Sequence, residues 1–201
     1  MSDKNNDTIE KAYTPKARYS KNEPVQIHTI CRTKEREKQK IDLKLKIFNL
    51  ENLIHKEKVP VKFESDKKTS HVFEWKPPEN GGYLAVVQAD DEKKYLGIDV
   101  SDSWTKYPRY GFLSNYPKPE DKEESQEKIG LLAQEYNINV IQFYDWMWRH
   151  ENLIKRKSGK IENTWTDWDN YQISWTTIKN LIEAAHDRNI ACLPYIQIYG
   201  A

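Results

Sequence analysis

The clearest pattern in the chain is the alternation in KIDLKLKIFNL, where Ile41, Leu43, Leu45 and Ile47 are interleaved with Asp42, Lys44 and Lys46. A period of two is the signature of a half-buried strand. Shorter runs of the same kind occur at 25–29, 59–63, 71–75, 83–87 and 95–100. Turn-forming residues separate them, among them Pro77-Pro78, Gly81-Gly82 and Asp90-Asp91. Short strands at this spacing predict an all-β immunoglobulin-like sandwich over 21–103, preceded by a loose lead-in over 1–20.

After Trp104 the period changes. In EESQEKIGLLAQEYN, residues Ile129, Leu132, Ala133 and Tyr136 fall at helical spacing, and Asn137 is placed to act as a left-handed cap. The strand-like INVIQFY follows. SWTTIKNLIEAAHDRN repeats the scheme with a stripe of Ile178, Leu181, Ile182 and Ala185, Ser174 as N-cap and Asn189 in the place of Asn137. IACLPYIQIYGA is then a further strand, and RYGFLSNY an earlier one. Helix, Asn, Ile and strand recur in the same order, which predicts parallel strands joined by crossover helices. Three strands and two helices make the beginning of a (β/α)8 TIM barrel over 104–201, so the expectation is an incomplete barrel in a truncated chain.

Composition narrows the class. Charged residues make up 31%, apolar residues 37% and aromatic residues 12%, with a formal net charge of +1. The aromatic content argues against a disordered chain, and the balanced charge gives no reason to expect nucleic acid as a partner. No apolar run reaches the roughly 20 residues of a membrane span. MSDKNNDTIEKAY has no hydrophobic signal core, as expected of an intracellular protein or of one whose leader lies outside this chain. Cys31 and Cys192 match no metal spacing and are expected as buried free thiols. His28, His55 and His71 are scattered and read as packing or surface residues. No metal and no cofactor is expected.

The strand parity locates a candidate site. Cys192, Pro194, Ile196 and Ile198 form an apolar face suited to packing on helices, which leaves Leu193, Tyr195, Gln197 and Tyr199 pointing inward, with Gln142 and Tyr144 on the preceding strand. Barrel sites lie at the C-terminal ends of strands. The connection from Asp145 to Ile173 is far longer than such loops usually are. Five of the seven tryptophans lie in or beside it: Trp146, Trp148, Trp165, Trp168 and Trp175. Flat aromatic faces among Asp, Asn, Arg and His suit a sugar, with its apolar C–H faces and rim of hydroxyls. The tryptophans could equally anchor a long loop. Substrate contacts are expected at Asp145, Tyr144, Trp146, Gln197 and Tyr199, and at Asn115 and Tyr116 on the first strand. Asp145 would bind hydroxyls or organise the loop; the plainer alternative is an ion pair with Arg149 or His150.

WTKYPRYGFLSNY (104–116) followed by NINVIQFYDWMWRHE (137–151) resembles glycoside hydrolase family 66, which contains dextranases and cycloisomaltooligosaccharide glucanotransferases. FEWKPPENGGYLAVV and GIDVSDSW are similar to the end of that family's N-terminal immunoglobulin-like domain, and PYIQIYGA to its third barrel strand. The resemblance covers about 15–201. It implies a retaining, endo-acting enzyme on α-1,6-glucan (dextran) or isomaltooligosaccharides, using two carboxyl groups ~5–5.5 Å apart. It also implies a secreted or cell-surface protein. The family's catalytic Asp and Glu lie on later strands, so no residue here is expected to be catalytic, and the chain alone is expected to be inactive. The alternative is a non-catalytic glucan-binding module. Hydrolase and cyclising transferase are not separable from these residues, nor is the oligomeric state.

Overall fold

The computed structural model describes residues 8–32, 40–62 and 68–196. The protein is mostly β-sheet with two helices, and it divides into two compact units, Met1–Tyr107 and Pro108–Ala201.

In the first unit, β1 (Ile9–Tyr13), β3 (Val25–Arg32) and β6 (Lys68–Trp75) form an antiparallel sheet in the order β1-β3-β6. A second sheet has the order β2-β8-β7-β4-β5, from β2 (Arg18–Tyr19), β4 (Lys40–Asn49), β5 (Asn52–Lys62), β7 (Gly81–Ala89) and β8 (Glu92–Val100). The alternation is realised residue by residue. Ile41, Leu43, Leu45 and Ile47 are buried while Asp42 and Lys44 are half-buried and Lys46 is exposed. They join Val25, Ile27, Phe73 and Trp75 from the first sheet and Ala85, Val87, Leu96 and Ile98 from the second in one hydrophobic core. Removing this apolar area from water is the main source of the unit's stability.

The lead-in expected over 1–20 contains β1 and β2. Ile9 is fully buried and pairs opposite Cys31, while Arg18 and Tyr19 run parallel to Asp99 and Val100. The ladder hydrogen bonds and the burial of Ile9 and Tyr19 tie down a segment whose sequence shows no alternation.

The second unit is a β-α-β-α-β succession. β9 (Tyr110–Leu113), β10 (Val140–Phe143) and β15 (Ala191–Pro194) are parallel in the order β15-β10-β9. α1 (Lys122–Gln134) starts in a capping box in which Asp121 accepts from the Glu124 N–H and the Glu124 side chain accepts from the Asp121 N–H. α2 (Trp175–His186) is capped by Ser174. Both helices end at a left-handed asparagine, Asn137 at φ 54° and Asn189 at φ 57°. At the second, the Ile190 N–H reaches the Ala185 carbonyl at 2.9 Å and the Asn189 N–H reaches His186 at 3.0 Å, the two bonds of a Schellman closure. Asn tolerates this conformation because its short polar side chain can bond locally. The helices are joined to each other by Lys122–Glu183 at 2.9 Å and Gln126–Asp187 at 2.8 Å.

Two short hairpins lie between β10 and α2: β11 (Arg156–Lys157) with β12 (Lys160–Ile161), and β13 (Thr164–Thr166) with β14 (Gln172–Ser174). The long loop is therefore built rather than loose. Among the described residues, no helix is long and apolar enough to cross a membrane.

Candidate active site

The strand pairing sets which side chains share a face. Ile141 and Phe143 are in register with Cys192 and Pro194, and Phe143, Cys192 and Pro194 line a cavity of about 230 Å³ with Ile178 and Ile182 of α2. That is the helix-facing side. The opposite side carries Gln142 and Leu193, and just past the strands Tyr144 and Tyr195, whose rings stack at 4.1 Å with 27° between planes. The ladder continues to this point, with Tyr144 N–H on the Leu113 carbonyl at 2.7 Å and Tyr195 N–H on Phe143 at 2.9 Å. The hydrogen bond between the two phenols holds Tyr144 above its ordinary pKa.

Asp145 follows at φ 47°, in the left-handed region. Asp, like Asn, is among the few non-glycine residues that adopt this conformation readily. Its consequence is a reversal of the alternation. Trp146 would continue the side of Gln142 and Tyr144, but the turn swings it to the helix side, where it lines the same cavity as Phe143 and donates its indole N–H to the Tyr195 carbonyl at 2.9 Å. Trp146 is therefore buried packing, contrary to its expected place in the cleft.

Tyr116 is likewise fully buried. It stacks on Phe143 with 11° between planes, and donates its hydroxyl to the Leu113 carbonyl. Its own carbonyl accepts from the Ser174 N–H at 2.7 Å, which joins the β9 end to the start of α2. Burial pushes its phenol well above the usual value. Asn115 is exposed beside it. Gln197 and Tyr199 lie outside the described residues.

Around Asp145 the loop gathers charge. Partial burial first, and then the carboxylates of Asp167 and Asp169, hold Asp145 above the usual carboxylate range, while His150 opposes them. Arg149 is committed elsewhere. Its guanidinium donates to the carbonyls of Trp148 at 2.6 Å and Thr166 at 3.2 Å and lies over the Trp148 ring. Arg149 therefore clamps the β13–β14 hairpin to the loop instead of neutralising Asp145. Asp167 is only 2% exposed. Its Oδ1 accepts from the Asp169 and Tyr171 N–H groups at 2.9 and 2.8 Å. Trp165 and Ile173 anchor the hairpin from below, each fully or nearly buried. Sequence reasoning did not single out Asp167; its spacing from Asp145 carries no signal until the hairpin folds back.

The chemistry of this place is acceptor-rich and aromatic, at the C-terminal end of a parallel strand. A model of the family described as glycosyl hydrolase family 66 matches residues 14–201, nearly the whole chain. The chain belongs to glycosyl hydrolase family 66. It is 41% identical over 196 residues to a cycloisomaltooligosaccharide glucanotransferase of Niallia circulans, a match that covers 96% of this chain and 20% of that protein. A dextranase of Streptococcus salivarius is 26% identical over 130 residues, covering 59% of this chain and 16% of its own length. Among solved structures, a cycloisomaltooligosaccharide glucanotransferase of Paenibacillus sp. complexed with cycloisomaltoheptaose matches with a TM-score of 0.82 and 39% identity, over 94% of this chain and 27% of the other. The chain thus spans about a fifth of the length of its family 66 relatives and matches their N-terminal type of architecture, mostly β-sheet with two helices.

Proposed function

We propose that this chain forms the N-terminal part of a retaining, endo-acting family 66 enzyme on α-1,6-glucan, and that Asp145 and Tyr144 form part of the wall of its substrate cleft. The first unit is then an immunoglobulin-like sandwich over 21–103, and residues 104–201 are the opening strands and helices of a (β/α)8 barrel. Support for the barrel comes from the sheet face opposite the helices. Tyr110 and Phe112, in register with Val140 and Gln142 on that face, are 51% and 64% exposed, surface that barrel closure would cover. Two facing sheets over a single core support the sandwich.

The observation that carries the substrate reading is Asp145 itself: a carboxylate held in a left-handed turn at the strand end, among other carboxylates and beside the stacked Tyr144 and Tyr195. Mutually repelling carboxylates gathered at a strand end form an acceptor-rich place that a ligand's donors can use. Sugar hydroxyls donate to the carboxylates and offset their repulsion, and the phenols hold the sugar ring in position. Isomaltooligosaccharides and dextran are the ligands, with no cofactor.

The chain itself binds without cleaving. Asp167, the buried carboxylate near Asp145, spends one oxygen on two backbone N–H groups that shape its loop, which leaves it poorly placed as a nucleophile. The catalytic Asp and Glu belong to later strands of the whole enzyme. Incubation with dextran is expected to release no reducing sugar above blank, while isomaltooligosaccharides bind. Release above blank would refute the division of labour, and absence of binding by the folded chain would refute the cleft.

A further inference from the structure

The tip of the β13–β14 hairpin holds two large aromatic side chains in water. Trp168 is 51% exposed and Tyr171 65% exposed. Neither is needed to fasten the hairpin, whose buried anchors are Trp165 and Ile173. Yet the tip is firmly shaped. The Asp167 N–H donates to the Tyr171 carbonyl at 2.9 Å, and Asp167 Oδ1 accepts from two N–H groups inside the turn. Asp167 Oδ2 is buried and has no hydrogen-bond partner among the described residues. That oxygen is sealed from solvent, so Asp167 shapes the tip from within and leaves ligand contact to the exposed side chains. The tip also sits next to the cleft residue. His150 packs against Trp168 with ring centroids 5.5 Å apart, and His150, Asp167 and Asp169 all act electrostatically on Asp145.

We propose that this tip is a second sugar-contact site, in which the exposed Trp168 and Tyr171 make apolar contact with a glucosyl unit next to the one held at Asp145. The proposal rests on the glucan reading of the Asp145 site and extends it along the chain of the ligand. A pre-shaped loop spends little conformational entropy on binding, so two exposed aromatic faces contribute most of their contact area to affinity. A neutral polyhydroxyl fits the remaining chemistry: C–H faces for the rings and hydroxyl donors for the acids. The loop's tryptophans then divide by role, with Trp146 and Trp165 packing the fold and Trp168 meeting ligand.

Calorimetric titration of the 201-residue chain with isomaltotriose and isomaltoheptaose tests this, with far-UV circular dichroism and thermal midpoint as folding controls. The wild type is expected to bind the heptaose more tightly than the triose. Trp168→Ala and Tyr171→Ala should each weaken heptaose binding roughly three- to tenfold and leave the triose unchanged, as for the loss of one aromatic contact. Trp168→Phe should restore most of the loss, and Asp145→Ala should weaken both ligands. Unchanged heptaose affinity in Trp168→Ala and Tyr171→Ala, with Asp145→Ala still impaired, would overturn the tip site and leave the Asp145 site standing. Failure of the folded wild type to bind either sugar would overturn both.

Discussion

At the scale of single residues, Asp145 carries most of the argument. Its native pKa lies above its unfolded value, so the folded state holds the extra proton between the two. Stability therefore rises as pH falls through the native pKa, and at neutral pH the ionised carboxylate is a cost. Asp145→Asn is expected to raise the thermal midpoint at pH 7, with the difference shrinking as the medium is acidified, and to weaken isomaltooligosaccharide binding. Melting curves between pH 4 and 8 check the sign; an advantage for the variant that grows on acidification would contradict it. Asp167 offers a complementary test. Asp167→Asn keeps an oxygen for the Asp169 and Tyr171 N–H groups, whereas Asp167→Ala strands both and should cost about 1–3 kcal/mol in denaturant titration. That Asp145 stands at a strand end was legible because it follows an apolar run. The burial of Trp146 and Tyr116 was not legible, since period-two alternation holds only within a strand. The left-handed Asp145 reverses the side on which Trp146 falls, and the chain beyond β9 turns Tyr116 onto Phe143.

At the scale of elements, the helix ends were the most readable features. Asn137 and Asn189 adopt the left-handed cap expected of them because few other side chains tolerate it, so a local rule suffices. Asn189→Ala is expected to destabilise the second unit by about 1 kcal/mol and Asn189→Gly to leave it unchanged or slightly firmer. Equal stability of the two variants by chemical denaturation would remove the capping argument. The hairpins between β10 and α2 were not legible, and neither was β1. Each is two to five residues long, too short for a period to register; β1 is held by pairing with β3 and the β13–β14 hairpin by Arg149 on the Thr166 carbonyl. The strand that was most readable, β4, has burial that alternates over nearly its full length, as it does in β3.

At the scale of the whole molecule, two compact units divide the work. The first is a core of two sheets, and truncating one of its fully buried side chains, Leu45→Ala, should cost about 2–5 kcal/mol. The two thiols pack separately, Cys31 in this core and Cys192 on β15 of the second unit. Cys31 is buried with its pKa pushed up to about 12, and half-buried Cys192 is pushed to about 11, so both stay protonated and should react slowly with thiol reagents at neutral pH until the chain is unfolded. The second unit brings the ends of its parallel strands, Asp145 and the β13–β14 hairpin together, the place proposed above as a sugar cleft. The chain belongs to family 66 and spans about a fifth of the length of its relatives; the property proposed for it is glucan binding. The decisive measurement is a calorimetric titration of isomaltoheptaose into the folded chain and into its Asp145→Ala variant. Saturable binding by the wild type that falls at least tenfold in the variant is the predicted result. Equal affinity in the two proteins, or no heat from either, would contradict the assignment of this strand end as a glucan site.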